Sequence, residues 1–164
     1  MANTEVPENG DGGAAIPDGP SAELVEDHVG ELRLTIVADS LPELFSEAAR
    51  RVSAECGPVD GPPGPWEPVE LTARDVATLL VDWLNELIGR SEVEGRAYDE
   101  VRGLSLSDRS GGSGSEIGPG VRLVAQVRGR TVSTWESPLK AATYHSLVVA
   151  PDHGRWRATV LLDV

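Results

Sequence analysis

The 164-residue chain is poor in several residue types that would point to particular chemistries. It holds one cysteine, one phenylalanine, two tyrosines and a single lysine among its 14 basic residues. A lone Cys56 excludes an internal disulfide and suits a reducing, cytoplasmic setting, which is the expected location. No run of about 18 apolar residues exists, so no transmembrane helix is expected. Met1 to Pro20 has neither a basic nor an apolar region, and so does not read as a signal peptide. Basic residues are outnumbered by 27 acidic ones, for a formal net charge of −13. That balance excludes gripping nucleic acid by phosphate neutralisation and disfavours docking on anionic membranes. The length fits one domain with a core of its own.

Charge and composition divide the chain. Residues 1–21 carry four acids, no base, three prolines and four glycines. Such a stretch cannot offset its ordering entropy by burial and is expected to be a disordered tail, leaving 22–164 as the domain. Leu32, Leu34 and Ile36 alternate with Arg33, Thr35 and Val37, the period of a strand with one face buried. Ser40-Leu41-Pro42-Glu43 announces a helix with a capping serine, a proline in the first turn and an acid three residues on. Leu44, Phe45, Ala48, Ala49 and Val52 continue it, and Gly57-Pro58 ends it. Val59 to Pro68 reads as a loop and Val69 to Leu71 as a short strand. Thr72-Ala73-Arg74-Asp75 repeats the capping logic before a second helix, whose apolar face runs through Val76, Leu79, Leu80, Trp83, Leu84, Leu87 and Ile88, with Gly89 as its terminator.

The remainder reads as strands: Tyr98 to Leu106, Val121 to Arg128, Thr143 to Val149 and Trp156 to Leu162. A Gly/Ser connection at 110–115 interrupts them. Two helices covering a mostly antiparallel sheet make an α+β domain.

Phosphate-binding loops, nucleophile elbows, Cys-x-x-Cys pairs and His-Glu-x-x-His helices are all missing from the sequence. Cys56 has no base in sequence context and reads as inert. Three places keep chemical potential: Asp27-His28-Val29-Gly30-Glu31, Lys140-Ala141-Ala142-Thr143-Tyr144-His145, and the end, Leu161-Leu162-Asp163-Val164. Glu31, Asp163 and the α-carboxylate of Val164 are hard oxygen donors that suit Mg²⁺, Mn²⁺ or Ca²⁺ if the fold gathers them. His28 and His145 are by default structural histidines. Lys140, kept as lysine where every other base is arginine, hints that a flexible ammonium is wanted there.

These three places, with the helix starts, resemble the archease family. That family has a His-Thr-Ala-Asp motif, matched here by His28-Val29-Gly30-Glu31, followed by a helix start matched by Ser40-Leu41-Pro42-Glu43-Leu44-Phe45. Its central helix is similar to Leu79-Leu80-Val81-Asp82-Trp83-Leu84-Asn85-Glu86-Leu87. Its late motif resembles Lys140 to His145, and its ending resembles Leu162-Asp163-Val164. The likeness spans about 25–164.

The resemblance implies an archease-like α+β fold and a non-enzymatic accessory factor. Such a factor promotes guanylylation and repeated turnover of an RtcB-type RNA ligase in tRNA splicing or RNA repair. It implies a divalent cation (Ca²⁺, Mg²⁺ or Mn²⁺) held by Glu31, Asp163 and Val164. His28, Lys140 and His145 would organise that surface or meet the partner. Val29-Gly30-Glu31 departs from Thr-Ala-Asp: the carboxylate moves out by one methylene and a hydroxyl is lost. The segment 129–140 is also shorter than the family's. Both departures keep open an alternative, a diverged chaperone-like interaction module without the metal chemistry.

Overall fold

The computed structural model describes residues 18–108 and 120–164. The expected tail falls outside it up to residue 17, and the Gly/Ser connection at 110–115 lies outside the described residues altogether. The chain order is β1 (Ser21–His28), β2 (Glu31–Ala38), α1 (Leu41–Ser53), β3 (Glu67–Ala73), α2 (Val76–Glu94), β4 (Arg96–Asp108), β5 (Val121–Thr131), β6 (Ala141–Asp152) and β7 (Arg155–Asp163). The strands form two sheets, β1-β2-β7-β6 and β3-β5-β4. Every strand pair is antiparallel. The α+β class expected from the sequence is the one observed, with the strands shared between two sheets.

The helices are the layer that joins these sheets. Helix α1 packs on β1, β2 and β7 of one sheet and on β4 of the other, while α2 packs on β6 and on β3, β4 and β5. The contacts of α2 with four strands of the two sheets call for a wide apolar face. Leu79, Leu80, Val81, Trp83, Leu84, Leu87 and Ile88 of α2 are accordingly all buried. Each such side chain contributes roughly 1.5–3 kcal/mol by leaving water. Helix α1 needs only a stripe, and Leu44, Phe45, Ala48, Ala49 and Val52 provide it. The two helices are tied by the Trp83 indole, whose Nε1–H donates to the Phe45 carbonyl at 3.0 Å.

Local sequence explains the ends of both helices. Ser40 caps α1, its hydroxyl accepting from the Glu43 amide at 3.3 Å, and the Glu43 carboxylate accepts from the Asp39 amide at 3.0 Å. One 3₁₀ turn at Ala54–Cys56 then leads to Gly57. Helix α2 departs from the sequence reading at both ends. Its cap is Asp75 and not Thr72: the Asp75 carboxylate accepts from the Thr78 amide at 2.7 Å. Thr72 remains in strand β3, paired with Arg122. Gly89 does not end the helix, which runs on to Glu94 and stops at Gly95 in a left-handed conformation (φ +62°). Gly89 sits on the exposed side, where a glycine costs helix propensity without breaking the hydrogen-bond ladder.

Strand β1 precedes the strand that the alternation at Leu32–Ile36 identifies, and the sequence reading does not anticipate it. Ala22 and Leu24 pack against the core from β1. A two-residue turn, Val29-Gly30, joins β1 to β2, and Gly30 takes φ +87° there.

Candidate functional site

The backbone register builds the candidate site. His28 lies opposite Glu31, Glu31 opposite Asp163, and Asp163 opposite Ala141. Directly opposed residues in antiparallel ladders project to the same face. His28, Glu31, Asp163 and Ala141 therefore form one row across all four strands at the end of the sheet. On the helix-facing side, the neighbouring row of Leu32, Leu162 and Ala142 packs into the core. The alternation of the pleat leaves the carboxylate row on the side away from the helices.

Main-chain hydrogen bonds fix the last two residues against this row. The Val164 amide donates to the Gly30 carbonyl at 3.0 Å, and the Lys140 amide donates to the Asp163 carbonyl at 2.8 Å. The Lys140 ammonium donates to the main-chain oxygen of Val164 at 2.9 Å. The turn before Glu31, the end of β7 and the start of β6 thus converge on one point. Among the described residues, neither the Glu31 nor the Asp163 carboxylate has an ion-pair or hydrogen-bond partner. Two like charges directly opposed on adjacent strands are unfavourable unless a cation lies close by.

The other sequence candidates are placed as follows. His28 belongs to the row, is 78% exposed, and has its Nε2 4.0 Å from Asp27. Asp27 itself is held by Arg33 at 2.6 Å, so it buttresses the turn and does not enter the row. His145 is not brought to the carboxylates. It lies four residues beyond Ala141, about 13 Å along the strand. It also falls within an irregular stretch where the β6–β7 register shifts between Thr143 and Val148. Cys56 is 3% exposed, and burial raises its thiol pKa above the ordinary value, in keeping with an inert residue.

Two positioning groups have no role in the sequence reading. Asn85, on α2, grips β6 with both ends of its amide: Nδ2 donates to the Ala142 carbonyl at 3.1 Å, and Oδ1 accepts from the Ala142 amide at 2.7 Å. This sets the start of β6, and so Lys140 and Ala141, against the helix layer. Asp82, one helical turn earlier, accepts from the Tyr144 hydroxyl at 2.7 Å. That bond pushes the Tyr144 phenol pKa above its ordinary value, with burial a smaller cause. The available signal was a polar residue interrupting an otherwise apolar helical run.

As a set of donors, the site offers two side-chain carboxylates and a main-chain oxygen. Among the described residues, no three His, Cys, Asp or Glu side chains gather closely enough to hold a metal ion. An all-oxygen set of this kind suits a hard divalent cation that keeps part of its water shell.

The model of the Archease protein family (MTH1598/TM1083) matches residues 25–164. The chain belongs to the archease family. It is similar to the archease of Methanopyrus kandleri, with 30% identity over 144 residues covering 84% of this chain and 96% of that one. The archease of Methanosarcina acetivorans is 27% identical over 142 residues, covering 84% and 92%. Among solved structures, the fold is similar to that of Methanobacterium thermoautotrophicum protein 1598, with a TM-score of 0.63 and 21% identity, covering 87% of this chain and 98% of that one. It is also similar to an archease from Thermotoga maritima that is described as a possible chaperone, with a TM-score of 0.56 and 20% identity, covering 85% and 95%. Those likenesses bear on the fold alone, and they agree on two helices with antiparallel strands. Among the described residues of this archease, no helix is long and apolar enough to cross a membrane.

Proposed function

We propose that this archease is a non-enzymatic activator of an RtcB-type RNA ligase. It would promote guanylylation of the ligase histidine and repeated turnover in tRNA splicing or RNA repair. Glu31, Asp163 and the α-carboxylate of Val164 would hold a divalent cation, Ca²⁺, Mg²⁺ or Mn²⁺, which would supply positive charge at the surface presented to the ligase. The observation that supports this reading is the β2–β7 register, which opposes Glu31 and Asp163 beside Val164. His28 and Lys140 flank the pair and would orient it or contact the ligase, while His145 would meet the partner from the irregular part of β6. The acidic character of the chain suits docking on a basic, nucleic-acid-handling enzyme without competing for its RNA.

A turnover assay with the cognate ligase and a broken RNA tests the proposal. Stimulation by the wild-type chain that drops by about an order of magnitude with Glu31→Ala or Asp163→Ala supports it. No stimulation, or undiminished stimulation by both variants, overturns it.

A second reading has its own support. The chain would be a chaperone-like interaction module in which the metal chemistry has been lost. It is favoured by Glu31 standing where the family has aspartate, and by the lack of a third side-chain ligand among the described residues. Under this reading the chain stabilises a partner protein equally well in chelator and in millimolar divalent cation.

A further inference from the structure

The contact between Lys140 and Val164 has a consequence for the carboxylate row, one that rests on the cation-binding reading above. The Lys140 ammonium already donates to the main-chain oxygen of Val164, one of the three donors that reading assigns to a divalent cation. It is anchored there at its own backbone, because the Lys140 amide donates to the Asp163 carbonyl. The cationic side chains near the row differ in how they are occupied. Arg33 is taken up by Asp27, whereas Lys140 has no carboxylate side chain as a partner among the described residues. Lys140 is exposed, and it is the sole lysine of the chain. An ammonium on a four-carbon stem can swing out of such a contact, where a planar guanidinium in a bidentate pair would be held.

We propose that Lys140 is a built-in counter-ion that competes with the divalent cation for the Glu31–Asp163–Val164 cluster. Without the cation, Lys140 occupies the Val164 oxygen, a donor the cation would need, and holds one positive charge at the edge of the acidic cluster. When the cation binds, Lys140 is displaced from the Val164 oxygen and its charge is released toward solvent, on the face where His28 also lies. The lysine thus sets a threshold: it lowers cation affinity, and its release marks the loaded state. A residue that merely held the cluster in shape would do the opposite and raise affinity.

Calorimetric titration of Ca²⁺, Mg²⁺ and Mn²⁺ onto the wild-type chain, Lys140→Gln and Lys140→Arg tests this. A melting scan of each protein in chelator accompanies it. Lys140→Gln is expected to bind the cation tighter by roughly an order of magnitude, the scale of removing one full charge beside a ligand atom at an exposed site. In chelator it is expected to melt about 2–4 °C below wild type. Lys140→Arg, which keeps the charge, is expected to bind with near wild-type affinity. Binding by wild type that is unchanged or weakened in Lys140→Gln overturns the counter-ion proposal and leaves the cation site standing. No binding by wild type together with binding by Lys140→Gln supports both. No binding by any of the three proteins overturns both.

Discussion

Glu31 and Asp163 face each other across the β2–β7 ladder although 132 positions separate them in the chain. Their register follows from apolar neighbours. Leu32 opposite Leu162 and Leu34 opposite Val160 must face the helices, which sends the charged pair to the other face. A one-residue slip would drive both carboxylates into the core, so the packing that stabilises the sheet also specifies the site.

Gly30 holds the turn that brings Glu31 to Val164. At φ +87° any Cβ is strained, although the nearest atom to it would be the Val164 oxygen at an ordinary 4.0 Å. Gly30→Ala is therefore expected to cost about 1–2 kcal/mol through backbone strain and not through a clash. Urea denaturation checks this. An unchanged midpoint would show that the turn relaxes freely.

Asn85 reaches β6 with two hydrogen bonds to a single residue, Ala142, which is itself buried. Asn85→Ala leaves a buried amide and carbonyl without partners, at a cost of about 2–3 kcal/mol. Hydrogen exchange should report the loss locally, with the Ala142 amide exchanging much faster than amides in β5. Uniform acceleration across the chain would instead mean that β6 is not separately held.

Asp75 gives stability a defined acid dependence. The hydrogen bond from the Thr78 amide lowers its carboxyl pKa, and the nearby Arg74 adds to the effect. Its contribution is complete above the unfolded value, near 3.9, and is lost as pH falls through the lower folded value. Asp75→Ala is expected to cost about 1 kcal/mol at pH 7, as for a lost helix cap. Asp75→Asn is expected to lie within a few tenths of a kcal/mol of wild type at pH 7. Its deficit should shrink below pH ~4, since the amide does not titrate. Denaturation curves at pH 7 and pH 3 for the three proteins separate these outcomes.

Much of this architecture is legible in the sequence, for identifiable reasons. Helix α1 announces itself because Ser40, Pro42 and Glu43 each act locally, and β5 because Leu123, Ala125 and Val127 alternate with polar residues. Strand β1 is hidden, since only Ala22 and Leu24 face the core while Glu23, Glu26 and Asp27 make it read as loop. The division into two sheets is equally hidden. Alternation reports that one face of a strand is buried, but not which strand lies beside it. Gly89 misleads because its conformation is helical and its side faces solvent, whereas Gly95 is the residue that adopts the left-handed turn. The gathering of Glu31, Asp163 and Val164 is not visible in spacing at all. It depends on long-range register, and reached the sequence reading only through likeness to a family. That likeness groups His145 with Lys140, yet the bulge and the length of β6 carry His145 away from the carboxylates.

The most direct test is the rate of ligase guanylylation as a function of divalent cation concentration, with the wild-type chain and with Asp163→Asn. Wild type is expected to accelerate guanylylation only once the cation is present, with half-maximal effect at the concentration where the chain itself binds it, and Asp163→Asn is expected to lose most of this acceleration. Equal acceleration by the two proteins, at any cation concentration, would overturn the cation-dependent role of the site.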